Sequence, residues 1–211
     1  FFTSAVGCNW GTTSVATIST TRLVTAVNAG TSTISATQGA VSGSTVMTVL
    51  PPTLQSSLDG SNNLVITDID SVGKNNQFTV SQSGNILSIT DANEQFISAP
   101  AGGMLSNGDR TLSFNTTVTT ITSIVLNGLG GDDTTTIDFS GGNPLPSGGL
   151  TFNGGDPTSG PPGDALVISR GTSTGLFNTI THTLVNESDG SVSFDPDGPG
   201  GAPASTVTYT G

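Results

Sequence analysis

The sequence predicts an all-β protein in two parts, a small sandwich-like module followed by a longer acidic region of stacked strand-and-turn repeats. Three observations carry this expectation. The apolar runs are Val, Ile, Leu and Phe set among Thr and Ser, only 9% of residues are charged and Gly reaches 29, a composition that starves helices and suits strands and tight turns. Every acidic residue lies at or after Asp59, so the charge changes abruptly along the chain. Past that point, turns of Gly with Asp, Asn or Ser recur, and each leads into a short apolar strand. At 211 residues the chain can bury a real core in one or two domains.

Residues 1–50 form the first part. Within 13–49, Val15, Ile18, Leu23, Val24, Val27, Ile34, Val46 and Val49 are expected to supply the apolar faces of short strands, with Gly30, Gly39 and Gly43 at turns. Trp10, Ser14-Val15-Ala16, Leu23-Val24-Thr25-Ala26 and Ala29-Gly30-Thr31 follow one another in an order that resembles the bacterial Ig-like domain, group 2, over about residues 10–50. The resemblance implies a β-sandwich used as a spacer or adhesive module at bacterial surfaces, without catalytic residues. Arg22 stands where that family has a turn glycine, and the family's opening strands are missing, so the Ig-like domain is partial. A shortened chain, a module completed by another chain and a degenerate sandwich are three explanations, since half a sandwich exposes core and strand edges. Pro51 and Pro52 cannot continue a central strand, so 51–58 reads as a linker.

Residues 59–211 form the second part. Its strands begin near 64, 86, 111, 134, 165 and 191, a spacing of 22 to 31 residues. That period suits the rungs of a parallel β-solenoid. The alternative is a second antiparallel β-sandwich, in which the run from Asn76 to Thr90 closes as a hairpin at Ser83-Gly84. Asn127-Gly128 and Asn153-Gly154 share the context apolar–x–apolar–Asn–Gly, which fits equivalent corners of neighbouring rungs.

The stretch Gly128-Leu129-Gly130-Gly131-Asp132-Asp133, and more loosely Gly154-Gly155-Asp156, resembles the RTX, hemolysin-type calcium-binding repeat. In stacked rungs, Asp133 and Asp164 would each precede a strand and lie one rung apart, where two carboxylates repel and Ca2+ reverses the sign. The candidate metal ligands are therefore Asp132, Asp133, Asp156 and Asp164, with Ca2+ as the ion. The competing reading is that Asp and Gly are ordinary turn chemistry, with the carboxylates in water.

Other chemistry is sparse. His182 is the only histidine and Cys8 the only cysteine, which leaves no internal disulfide and too few soft ligands for zinc. No G-x-S-x-G elbow is present, and Lys74 in "GKNNQ" reads as an exposed turn. No enzymatic activity is expected. From Asp59 onward fifteen acids face Lys74, Arg110 and Arg170, a net charge of −12 that argues against nucleic acid and anionic membranes. No apolar run reaches the length of a membrane span. The expected role is a structural module of a bacterial extracellular or cell-surface protein: a spacer, matrix or filament subunit. Its partners would be further copies or neighbouring modules. One route to assembly is donation of the strand at 205–211 into a neighbour's open Ig-like half. The alternative role is a Ca-dependent adhesin or carbohydrate-binding module, with a glycan as partner.

Overall fold

The computed structural model describes residues 7–10, 14–19, 23–70, 73–157, 163–171, 179–195 and 205–211, and all its regular structure is β. The chain divides into two compact units between Pro51 and Pro52.

In the first unit, β1 (Gly7–Trp10) pairs with a later strand, while β2 (Ala16–Ile18) and β3 (Val24–Ala26) form an antiparallel ribbon. The partner of β1 is β4 (Gly30–Gln38), which also forms a hairpin with β5 (Val41–Val49). Gly39, at φ 60°, supplies the left-handed residue of that hairpin turn. Val15 and Ala16 are buried, as expected of an apolar face. Leu23, Val27 and Val46, expected on such faces too, are more than half exposed. A ribbon and a three-stranded sheet offer too little second layer to cover both faces of β4 and β5.

The second unit opens inside the expected linker. Leu54–Leu58 is strand β6, antiparallel to β7 (Asn63–Asp68), and Leu54 is fully buried. The two prolines precede the strand rather than interrupt it. Leu54 and Ser56 turn inward while Gln55 and Ser57 face water, an alternation the prolines mask in the sequence.

From β7 the chain alternates between two sheets. It passes to β8 (Gln77–Ser83), makes an antiparallel excursion through β9 (Ile86–Asp91), β10 (Gly103–Ser106) and β11 (Thr111–Asn115), and returns as β12 (Ser123–Asn127). It crosses again to β13 (Thr134–Asp138), back to β14 (Leu150–Asn153) and over to β15 (Ala165–Ser169). The hairpin β16 (Thr179–Leu184) and β17 (Gly190–Asp195) follows, then β18 (Ser205–Thr210). The six-stranded sheet has the order β10-β11-β9-β8-β13-β15, the seven-stranded sheet β16-β17-β18-β14-β12-β7-β6. The central ladders β8-β13-β15 and β7-β12-β14-β18 are parallel, and the flanking strands are antiparallel.

Both pairing modes that the sequence allows are thus present in one mixed fold. The strands starting near 64, 134 and 165 belong to parallel ladders. Those starting near 86, 111 and 191 do not continue the repeat. They are β9, β11 and β17, paired antiparallel with their neighbours. Gly84, at φ 57°, turns the β8–β9 hairpin back on itself where a rung would have crossed.

The inner faces share one core. Leu64, Ile66, Ile124, Leu126, Phe152 and Val207 come from the seven-stranded sheet, and Phe78, Val80, Ile89, Leu112, Phe114 and Ile137 from the six-stranded one. Phe139 and Phe194 meet with ring centroids 5.1 Å apart and a 53° tilt, a packing favoured by the ring quadrupoles. β18 lies between β14 and β17, with Val207 fully buried. The strand expected to be donated to a neighbour is therefore used in its own sheet, because Val207 and Ser205 fill inward positions there.

Candidate functional site

The register brings three corners into line. Thr67, Asn127 and Asn153 are cross-strand partners at the ends of β7, β12 and β14. Gln77, Thr134 and Ala165 are partners at the starts of β8, β13 and β15. Each corner therefore leaves the seven-stranded sheet at Asp68, Gly128 or Gly154 and enters the six-stranded sheet at Asn76, Asp133 or Asp164.

Two hydrogen-bond ladders tie these corners together. Asn127 Nδ2 donates to Thr67 Oγ1 (3.0 Å), Asn153 Nδ2 to Asn127 Oδ1 (2.7 Å), and Thr210 Oγ1 to Asn153 Oδ1 (2.8 Å). On the other side, Asn76 N–H donates to Asp133 Oδ1 (2.7 Å) and Asp133 N–H to Asp164 Oδ1 (2.8 Å). Each aspartate thus caps a backbone N–H of the preceding corner. The glycines make room for this: a Cβ on Gly128 would collide with Asp133 Oδ2, and one on Gly154 with Asp164 Oδ2. In the first corner the pattern is exchanged, with an acid, Asp68, in the glycine position and Asn76 in the acid position.

The result is a buried acidic corner. Asp68, Asn76, Asp91, Asp133 and Thr135 are at most 1% exposed. Asp91 is well served, accepting N–H groups from Asn93 and Glu94 at 2.7 Å and from Gln77 at 3.1 Å. Asp68 and Asp133 are half-served. One oxygen of Asp68 takes the Asp70 N–H at 2.8 Å, but Asp68 Oδ2, Asp133 Oδ2, Thr135 Oγ1 and both polar atoms of the Asn76 carboxamide have no hydrogen-bond partner among the described residues. The Asn76 carboxamide lies close enough to favour the ionised form of Asp91 without closing a hydrogen bond.

Burial pushes the Asp133 carboxyl up to about 7; the Asn76 N–H opposes the rise, and the charges of Asp164, Asp68 and Asp91 add to it. Burial also raises Asp68, Asp91 and Asp164 against the N–H bonds that favour their ionised forms. Lys74, expected on an exposed turn, is half-buried, and its Nζ lies 3.0 Å from both Asp70 and Glu94. Desolvation pulls its pKa down, but the hydrogen bonds to those two acids outweigh it and keep the ammonium charged. Thr53 Oγ1 donates to the same Glu94 carboxylate at 3.0 Å.

Of the four candidate ligands read from the sequence, Asp133 and Asp164 lie on adjacent corners. Asp132 alternates to the opposite side of the chain from Asp133 and is half-buried, and its N–H binds Asn75 Oδ1 at 2.9 Å. Asp156 is exposed, its backbone bridged to Gly130. Among the described residues, no three His, Cys, Asp or Glu side chains gather as a metal-holding group. Asp68, Asn76 and Asp91 are the corner residues that the sequence reading missed. Their signal is parity: Asp68 stands two residues after Ile66, Asp91 two after Ile89, and Asn76 two before Phe78, each on the inward face of its strand.

A second feature is a groove of about 900 Å³ at the end of the core, where the seven-stranded sheet runs on past the edge strand β15. Phe152, Leu166, Ile168, Val192 and Tyr209 line it, and His182 Nε2 is 2.7 Å from Tyr209 Oη. Leu166 and Ile168 are half-buried, whereas Ile137, on the neighbouring strand β13, is fully covered. Comparison with family models, curated proteins and solved structures returned no match.

Proposed function

We propose that the chain is a structural module of an extracellular or cell-surface protein, a spacer or assembly subunit whose second unit is a short parallel β-solenoid capped by antiparallel strands. The observation that carries this reading is the constant register of β7, β12, β14 and β18, reinforced at every step by the Thr67–Asn127–Asn153–Thr210 ladder. Side chains that bond to their equivalents in the next rung hold a coil together from rung to rung, which is what a load-bearing or stacking element requires. The first unit, with its resemblance to a bacterial Ig-like domain, fits the same role. Protease shaving of intact source cells, with electron microscopy of the purified chain, tests it. Release of the protein from the cell surface and ordered assemblies or tethered particles are expected. A purely internal location refutes it.

The groove beside β15 favours a second reading, a binding module. Its apolar floor and the paired His182 and Tyr209 suit a ligand with one apolar face and a few polar groups. Binding of a glycan or peptide from an array, lost on Leu166→Arg, would establish that reading.

A further inference from the structure

We propose that the first two corners of the second unit form a site for one calcium ion, held by Asp68, Asn76, Asp133 and Thr135. The inference stands on unmet hydrogen-bonding capacity. Asp68 Oδ2, Asp133 Oδ2, Asn76 Oδ1 and Thr135 Oγ1 are buried oxygens without a partner among the described residues. The only donors the same group adds are the Asn76 amide and the Thr135 hydroxyl. A pocket so rich in acceptors is completed by a cation.

The register places the four residues on two neighbouring corners. Asp68 follows Thr67 and Gly128 follows Asn127, so Asp68 and Gly128 are neighbours across β7 and β12, about 4.8 Å apart. Asp133 Oδ2 lies against Gly128, where a Cβ would stand, which carries its carboxylate across the core toward Asp68. Asn76 is hydrogen-bonded to Asp133 through its own N–H, and Thr135 is the next inward residue after Asp133 on the same strand.

The chemistry selects the ion. All four candidate atoms are oxygens, which suits a hard cation and not a soft one. Two carboxylates balance a divalent charge. Calcium accepts irregular mixtures of carboxylate, amide and hydroxyl oxygen, whereas magnesium demands near-octahedral geometry and keeps its water. The site uses only two acids, so it does not appear as a cluster of three; of the further carboxylates whose charge reaches Asp133, Asp164 accepts the Asp133 N–H and Asp91 is committed to three backbone N–H groups. It also differs from the turn set Asp132, Asp133, Asp156 and Asp164, sharing only Asp133. The inference is independent of the structural role proposed above.

Calorimetric titration of the chelator-treated full chain with CaCl2, with thermal melts in Ca2+, Mg2+ and Na+, tests it. Wild type is expected to bind one Ca2+ and to melt several degrees higher in millimolar Ca2+ than in Mg2+ or Na+. Asp68→Asn and Asp133→Asn, which keep side-chain shape, each weaken binding at least tenfold and abolish the melting shift, while Asp156→Asn retains both. Absence of heat and shift in wild type up to 10 mM Ca2+ overturns the proposal. So does unaltered binding by the two corner variants. Loss of binding in Asp156→Asn with retention in Asp68→Asn moves the ion to the outer turn and equally refutes the corner.

Discussion

Replacing Asp133 by Asn in metal-free solution should stabilise the protein, although it removes a buried residue that accepts a backbone hydrogen bond. The Asp133 carboxyl is fully buried and its pKa is raised from 3.8 to about 7. Between those values the unfolded chain has released the proton and the folded chain still holds it. The stability contributed by this group is therefore greatest below about pH 4, falls as pH rises toward 7, and levels off above it. The full loss is on the order of 4 kcal/mol. Asn at this position keeps an acceptor for the Asn76 N–H and carries no charge to bury. Its extra amide donor costs about 1 kcal/mol if it finds no partner. The variant should thus gain roughly 2–4 kcal/mol over wild type at pH 8, or about 5–15 °C in Tm for a unit of this size, and nothing at pH 4. Circular-dichroism melts in EDTA at pH 4 to 8 measure this directly. A variant less stable than wild type at pH 8, or a wild type whose Tm does not fall between pH 4.5 and 7.5, would refute the account of the corner as buried, uncompensated charge.

Other outcomes follow from the same geometry. Gly128→Ala drives a methyl into Asp133 Oδ2 and should destabilise the second unit by about 2–4 kcal/mol in denaturant titration, whereas Gly60→Ala, which meets nothing, should stay within about 0.5 kcal/mol. Asn153→Ala removes two bonds of the corner ladder and should lose about 1–3 kcal/mol by the same assay, with faster amide exchange at β12 and β14. Deleting residues 205–211 withdraws the strand between β14 and β17 and should unfold the second unit, read as loss of dispersed methyl resonances. Added calcium should flatten the pH dependence of wild-type stability above pH 6, since it neutralises the charge that Asp133 otherwise buries.

Much of the second unit was legible because its repeats are chemical as well as periodic. Asn127-Gly128 and Asn153-Gly154 announce equivalent corners, and the register pairs Asn127 with Asn153. Asp133 and Asp164 announce adjacent corners, and the Asp133 N–H donates to Asp164 Oδ1. Strand direction was not legible. A turn followed by an apolar strand reads the same whether the chain crosses to the other sheet or doubles back, so β9 and β11 passed for rungs. The boundary between the units falls inside the expected linker, but residues 54–58 of it are strand, because two prolines weighed more than the quiet alternation of Leu54, Ser56 and Leu58. The acidic corner was half visible. Its Gly-Asp turns drew attention to Asp132, which is half-buried on the opposite side from Asp133, and to Asp156, which is exposed, while Asp68 and Asp91 close strands whose polar ends look like the start of a loop. Only the inward parity set by Ile66 and Ile89 separates those two from surface acids.

The position of β18 bears on how the chain reaches its final form. The β16–β17 hairpin is made before β18 in the order of synthesis, yet among the described strands it joins the rest of its sheet only through that one. Until Ser205–Thr210 is in place, Val192 and Phe194 lack the strand that links their hairpin to β14 and Phe152. Closure of this end is a late, long-range event, and it belongs to the slow class of β pairings. A released chain in which Ser205–Thr210 has not yet docked would carry an adhesive hairpin on display, which makes that interval the one in which a chaperone has most to protect.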